Sequence, residues 1–132
     1  MSRILLTMIV VSLMIVGCTV ERPKPPLDVS RLNMDLELGI ALGKAQEIYQ
    51  QAVTDGLDLT NGPCLANELH GNPDYPLTMW VLDIAHYPRE EVDNQPENQC
   101  EAYREGRAEN FVEFSPEGEL IRIYSPLIEK ED

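Results

Sequence analysis

The run Leu77-Thr78-Met79-Trp80-Val81-Leu82-Asp83-Ile84-Ala85-His86-Tyr87 decides the fold. Its side chains alternate: Trp80, Leu82, Ile84 and His86 share one side, and Met79, Val81, Asp83, Ala85 and Tyr87 share the other. Both sides are mostly apolar, which predicts a central strand rather than an edge strand with one wet face. A single carboxylate, Asp83, interrupts it.

Working toward the amino terminus, His70-Gly71-Asn72-Pro73-Asp74 reads as a loop, and Leu65 to Leu69 fits either a short strand or a helical turn. Asn61-Gly62-Pro63 makes a turn that delivers Cys64. Before it, Leu38, Ala41, Ala45, Ile48 and Ala52 recur at helical spacing, widened by Leu42, Tyr49 and Val53. The spacing predicts a helix over residues 34–55, capped by Asn33 and ended by Gly56. Gly39 and Gly43 are expected to give this helix a smooth face for close packing on a sheet, at about 1 kcal/mol each in helix propensity.

Working toward the carboxy terminus, Pro88 to Gln99 is polar, acidic and aperiodic, hence loop, and Cys100 to Arg107 suits a short helical turn. Asn110 to Phe114, the turn Ser115-Pro116-Glu117-Gly118, and Glu119 to Tyr124 read as a β-hairpin. A helix, then strands, then a terminal hairpin predicts an α+β fold: one amphipathic helix on a small, mostly antiparallel sheet.

The first residues tell a different story. Arg3 and the amino terminus precede thirteen residues, Ile4 to Val16, that are apolar apart from Thr7 and Ser12, and Ile15-Val16-Gly17-Cys18 follows. At 1.5 Å per residue this stretch spans about 20 Å, short of a bilayer's hydrocarbon core of roughly 30 Å. Residues 1–18 resemble a bacterial lipoprotein signal peptide with its lipobox. The resemblance implies cleavage before Cys18, diacylation of its sulfur and an extracytoplasmic location anchored in a membrane, the outer one in a diderm organism. Residues 1–17 would be the signal peptide, 18–32 a lipidated cysteine with a tether stiffened by Pro23, Pro25 and Pro26, and 33–132 the exported domain.

Loss of residues 1–17 removes one charge, Arg3, so 9 basic residues remain against 23 acidic ones, a net charge of −14. Such a surface disfavours nucleic acid and anionic headgroups as partners. With Cys18 lipidated, Cys64 and Cys100 form an even pair in an exported chain, and one disulfide is expected. Closing a loop of 37 residues restricts the unfolded chain by roughly 3–4 kcal/mol.

Candidate chemistry is sparse. Asp83, with His86 and Arg89 nearby in sequence, is a ligand-binding candidate; pairing of Asp83 with Arg89 or another arginine is the plainer expectation. Strand geometry puts Asp83 and His86 on opposite sides. Glu90, Glu91, Asp93 and Glu97 supply hard oxygen atoms suited to calcium, without the residue order of a known calcium loop. His70 and His86 have no zinc-type spacing, no elbow positions a serine, and no glycine-rich phosphate loop follows a strand.

The blocks Gly62-Pro63-Cys64-Leu65, Trp80 to His86 and Asn98-Gln99-Cys100, with the hairpin, are similar to an uncharacterised group of small exported bacterial proteins, which brings no activity with it. The expectation is therefore a small lipid-anchored envelope protein, without cofactor, whose non-catalytic domain binds an envelope partner or serves a structural role. Calcium or small-ligand binding is the first alternative, and an envelope hydrolase the second.

Overall fold

The computed structural model describes residues 33–72 and 74–128. Cys18, the segment before it and the tether lie outside the described residues. Helix α1 (Met34–Thr54) begins where the Asn33 side chain accepts a hydrogen bond from the Leu36 N–H at 3.1 Å. Asp35 and Glu37 place negative charge in its first turn, favourable at the positive end of the helix dipole. Its inner face carries Ala41, Ala45 and Tyr49, all buried, with Leu38, Leu42 and Ile48 flanking them.

Four strands follow: β1 (Cys64–Ala66), β2 (Trp80–Ile84), β3 (Asn110–Phe114) and β4 (Leu120–Tyr124), in the spatial order β1-β2-β3-β4. The fold is α+β, one main helix on a four-stranded sheet. The outer pairs are antiparallel, as expected, but the central pair, β2 with β3, is parallel and runs in register from Trp80↔Asn110 to Ile84↔Phe114. Parallel neighbours need a crossover of a dozen residues or more. Residues 85–109 supply it, with a 3₁₀ turn at Glu91–Asn94 and a single helical turn, α2 (Glu101–Arg104).

The crossover explains the two apolar sides of β2. Trp80, Leu82 and Ile84 pack with Val112 and Phe114 under α1. Met79 and Val81 face the other way, against Cys100, Ala102 and Ala108 of the crossover. Full burial of each large side chain contributes about 1.5–3 kcal/mol. β2 is shorter than the expected span because Pro76 opens a 3₁₀ turn over Pro76–Thr78, and the Thr78 hydroxyl bonds the carbonyl oxygens of Tyr75 and Asn72 instead of leaving the backbone to a ladder.

The expectation for Gly39 and Gly43 is corrected. A Cβ built at either position meets nothing within 4 Å, and it is Ala41 and Ala45 that bring the helix close to the sheet. By contrast Gly118, in the β3–β4 turn at φ +91°, would drive a Cβ to 2.6 Å from the ring of Tyr49, whose hydroxyl donates to the Pro116 carbonyl at 3.0 Å. One helix side chain thus fixes the hairpin turn.

Cys64 and Cys100 form the expected disulfide, with their Cα atoms 4.9 Å apart. It joins the edge strand β1 to the start of α2. Among the described residues no helix is long and apolar enough to cross a membrane.

Candidate functional site

Pairing across the sheet lines up Cys64 of β1, Asp83 of β2, Glu113 of β3 and Arg122 of β4. Paired residues share a face, so these side chains form a row on the crossover side. Above it lies a cavity of about 440 Å³, walled by Val81, Asp83, Phe111 and Glu113 from the strands and by Arg89, Gln99, Cys100, Tyr103 and Arg104 from the crossover.

Two carboxyl groups stand side by side here, and the protein treats them differently. Glu113 accepts from Arg89 Nη1 at 2.7 Å. Arg89 also donates its Nε to Asn94 Oδ1 at 2.9 Å and its Nη2 to the Asp93 carbonyl at 3.2 Å. It is therefore a brace between β3 and the crossover, not the counter-ion of Asp83; the expected Asp83–Arg89 pair is corrected to Glu113–Arg89. The physical reason is the parallel register, which sets a second acid beside Asp83 and within reach of the same guanidinium.

Among the described residues no cationic side chain makes an ion pair with Asp83. Burial, and next the charge of Glu113, push its carboxyl up to about 7, against the opposing pull of Arg89. Cys100 Sγ, 3.9 Å from Asp83 Oδ1, sits in the disulfide and carries no proton to donate. Arg104, also on the cavity wall, donates to the Pro96 carbonyl at 3.1 Å and has no carboxylate partner among the described residues.

The apolar wall is built of rings in contact. Tyr103 meets Phe111 edge-on at 5.3 Å, Phe111 stacks on Tyr124 at 5.3 Å, and the Arg122 guanidinium lies 5.5 Å from the Phe111 ring centre and 5.2 Å from that of Tyr124. An aromatic face, a carboxyl that can be charged or neutral near pH 7, and a guanidinium together can hold a small molecule in one orientation.

His86 lies elsewhere. Its Nδ1 is 2.8 Å from Asp93 Oδ1, and Asp93 Oδ2 accepts the backbone N–H groups of His86 at 3.1 Å and Glu90 at 2.8 Å. Asp93 is fully buried. Burial works against its charge, yet the N–H of Glu90 and the ring and N–H of His86 outweigh it and hold the carboxyl below its ordinary value. The hydrogen bond to Asp93 raises the His86 pKa in turn. His86 faces a second cleft, of about 540 Å³, with Glu90, Ser115 and Glu117.

The acidic loop is thus used differently from a calcium loop. Asp93 turns inward and commits both oxygens to the protein, while Glu90, Glu91 and Glu97 stay at the surface. Among the described residues no three His, Cys, Asp or Glu side chains are grouped so as to hold a metal ion. Cys64 and Cys100 are spent in the disulfide.

Sequence reasoning brought forward Asp83 and Arg89 but missed Glu113, Arg104, Tyr103 and Phe111. Glu113 had a signal of the same kind as Asp83, a lone acid between the apolar Val112 and Phe114. Comparison of the chain with protein families, characterised proteins and solved structures finds no match.

Proposed function

We propose that the chain is a lipid-anchored cell-envelope protein, cleaved and acylated at Cys18, whose exported domain binds a small ligand in the cavity beside Asp83. The anchor rests on Arg3, the apolar run and Ile15-Val16-Gly17-Cys18. The binding role rests on one observation: a cavity of about 440 Å³, within the range of small-molecule sites, holds a carboxyl, Asp83, that makes no ion pair among the described residues. A purely structural domain gains nothing from a half-buried acid without an ion pair, whereas a binding domain can leave that charge for its ligand.

Two measurements test the two halves. Intact-mass analysis of protein extracted from membranes is expected to give residues 18–132 plus acyl chains; the unprocessed 14.9 kDa chain would refute the anchor. A fragment titration followed by backbone amide NMR is expected to perturb Val81, Asp83, Tyr103 and Phe111 together. Fragments that leave all four untouched sink the binding reading.

The same acid pair favours a second reading, an envelope hydrolase, because a carboxyl titrating near neutrality beside one paired with Arg89 can donate and recover a proton. Cell-wall fragments cleaved by the wild type and left intact by Asp83→Asn would establish it; no cleavage by the wild type disposes of it.

A further inference from the structure

The charges on the cavity wall fall into a closed set and an open set. Glu113 and Arg89 neutralise each other at 2.7 Å. Asp83 and Arg104 are left without a charged partner among the described residues. A cationic ligand would answer Asp83 and leave Arg104 open, an anion would do the reverse, and only a molecule with both charges answers each.

Building on the binding role of this cavity, we propose that its ligand is a small zwitterion, an α-amino acid or dipeptide with an apolar side chain. The ammonium group sits on Asp83, the carboxylate on Arg104, and the apolar side chain against Phe111 and Tyr103. The parts suit the task. A guanidinium offers a planar fork of donors that fits a carboxylate in two parallel hydrogen bonds. Arg104 is exposed and stands in α2 at the rim, with one hydrogen bond to the Pro96 carbonyl that leaves other guanidinium donors for a ligand, whereas Asp83 is fixed in the central strand at the floor. The edge-to-face Tyr103–Phe111 pair gives an apolar side chain a ready surface. The cavity is ample for a molecule of this size.

Titration calorimetry on the full chain in detergent tests this with phenylalanine and the dipeptide Ala-Phe, against 2-phenylethylammonium and 3-phenylpropionate. The last two keep the ring and one charge each. At least one zwitterion is expected to bind, and each singly charged analogue at least about tenfold more weakly, the scale of one lost charge-assisted contact. Asp83→Asn is expected to abolish the preference for the zwitterion over 3-phenylpropionate and to keep the preference over 2-phenylethylammonium. Arg104→Gln is expected to do the opposite. This crossed pattern does not arise from a merely destabilised fold.

Equal binding of all four compounds, or preferences unchanged in both variants, overturns the proposal. Silence of all four compounds at about 10 mM while other fragments mark the cavity by NMR overturns zwitterion selectivity and leaves the binding role standing. Silence of the cavity toward every fragment removes the binding role itself.

Discussion

Replacement of Asp83 by asparagine keeps the shape of the side chain and removes its charge, which isolates the energetic effect of the buried carboxyl. The folded state holds the Asp83 proton up to about pH 7, against an ordinary value of 3.8. Between those values the folded chain binds more protons than the unfolded one, so stability falls as pH climbs through this window and the loss is complete above about 7. At about 1.4 kcal/mol per pH unit the loss is on the order of 4 kcal/mol. Water in the cavity screens the half-buried group and leaves about 2 kcal/mol as the lower figure. The wild type and Asp83→Asn are therefore expected to differ little at about pH 4, where the folded chain still holds the Asp83 proton and the unfolded chain has lost only about half of it. At about pH 8.5 the variant is expected to be more stable by about 2–4 kcal/mol, a rise in melting temperature of roughly 10 °C or more for a domain this small. Urea unfolding across this range, read by Trp80 fluorescence, measures it. A difference between the two proteins that does not change from pH 4 to pH 8.5 would show that Asp83 ionises in the fold as it does in the open chain.

Three further outcomes follow from the packing. Gly39→Ala and Gly43→Ala are each expected to stabilise the protein by about 0.5–1 kcal/mol, since an added methyl meets nothing and helix propensity improves; a fall in melting temperature would place an unseen neighbour there. Replacement of both Cys64 and Cys100 by serine is expected to lower stability by roughly 4 kcal/mol in denaturant titration, and a loss below about 1 kcal/mol would refute the crosslink's weight. The His86 ring, followed by NMR, is expected to titrate above its ordinary value of 6.5 and to fall back toward it in Asp93→Asn. The stabilisation from that pair is present below the raised His86 value for as long as Asp93 stays ionised, and is lost as pH rises through the His86 value, so an unchanged midpoint in the variant would break the assignment.

Much of this architecture was legible because it is local. Asn33 before an apolar stripe marks a helix start, and Ser115-Pro116-Glu117-Gly118 between two alternating runs marks a hairpin; both are where expected. The two-sided apolar pattern of β2 correctly placed it inside the sheet. What stayed hidden is nonlocal. Residues 85–109 show no period because the crossover folds around single side chains such as Asp93 and Arg89 rather than along a helix, and α2 is too short to leave a stripe. Without the crossover, the parallel pairing of β2 with β3 could not be read. With it unread, Glu113 could not be set beside Asp83, nor Arg104 over the cavity. Gly39 and Gly43 misled because a pair of small residues looks the same in sequence whether it meets a neighbour or open water.

The disulfide has one more effect. Cys100 is at once half of the crosslink and part of the cavity wall, so the covalent bond to Cys64 clamps the roof of the hollow to the edge of its floor. If the hollow takes a ligand that needs this geometry, reciprocity would make the intact crosslink and the occupied hollow stabilise each other.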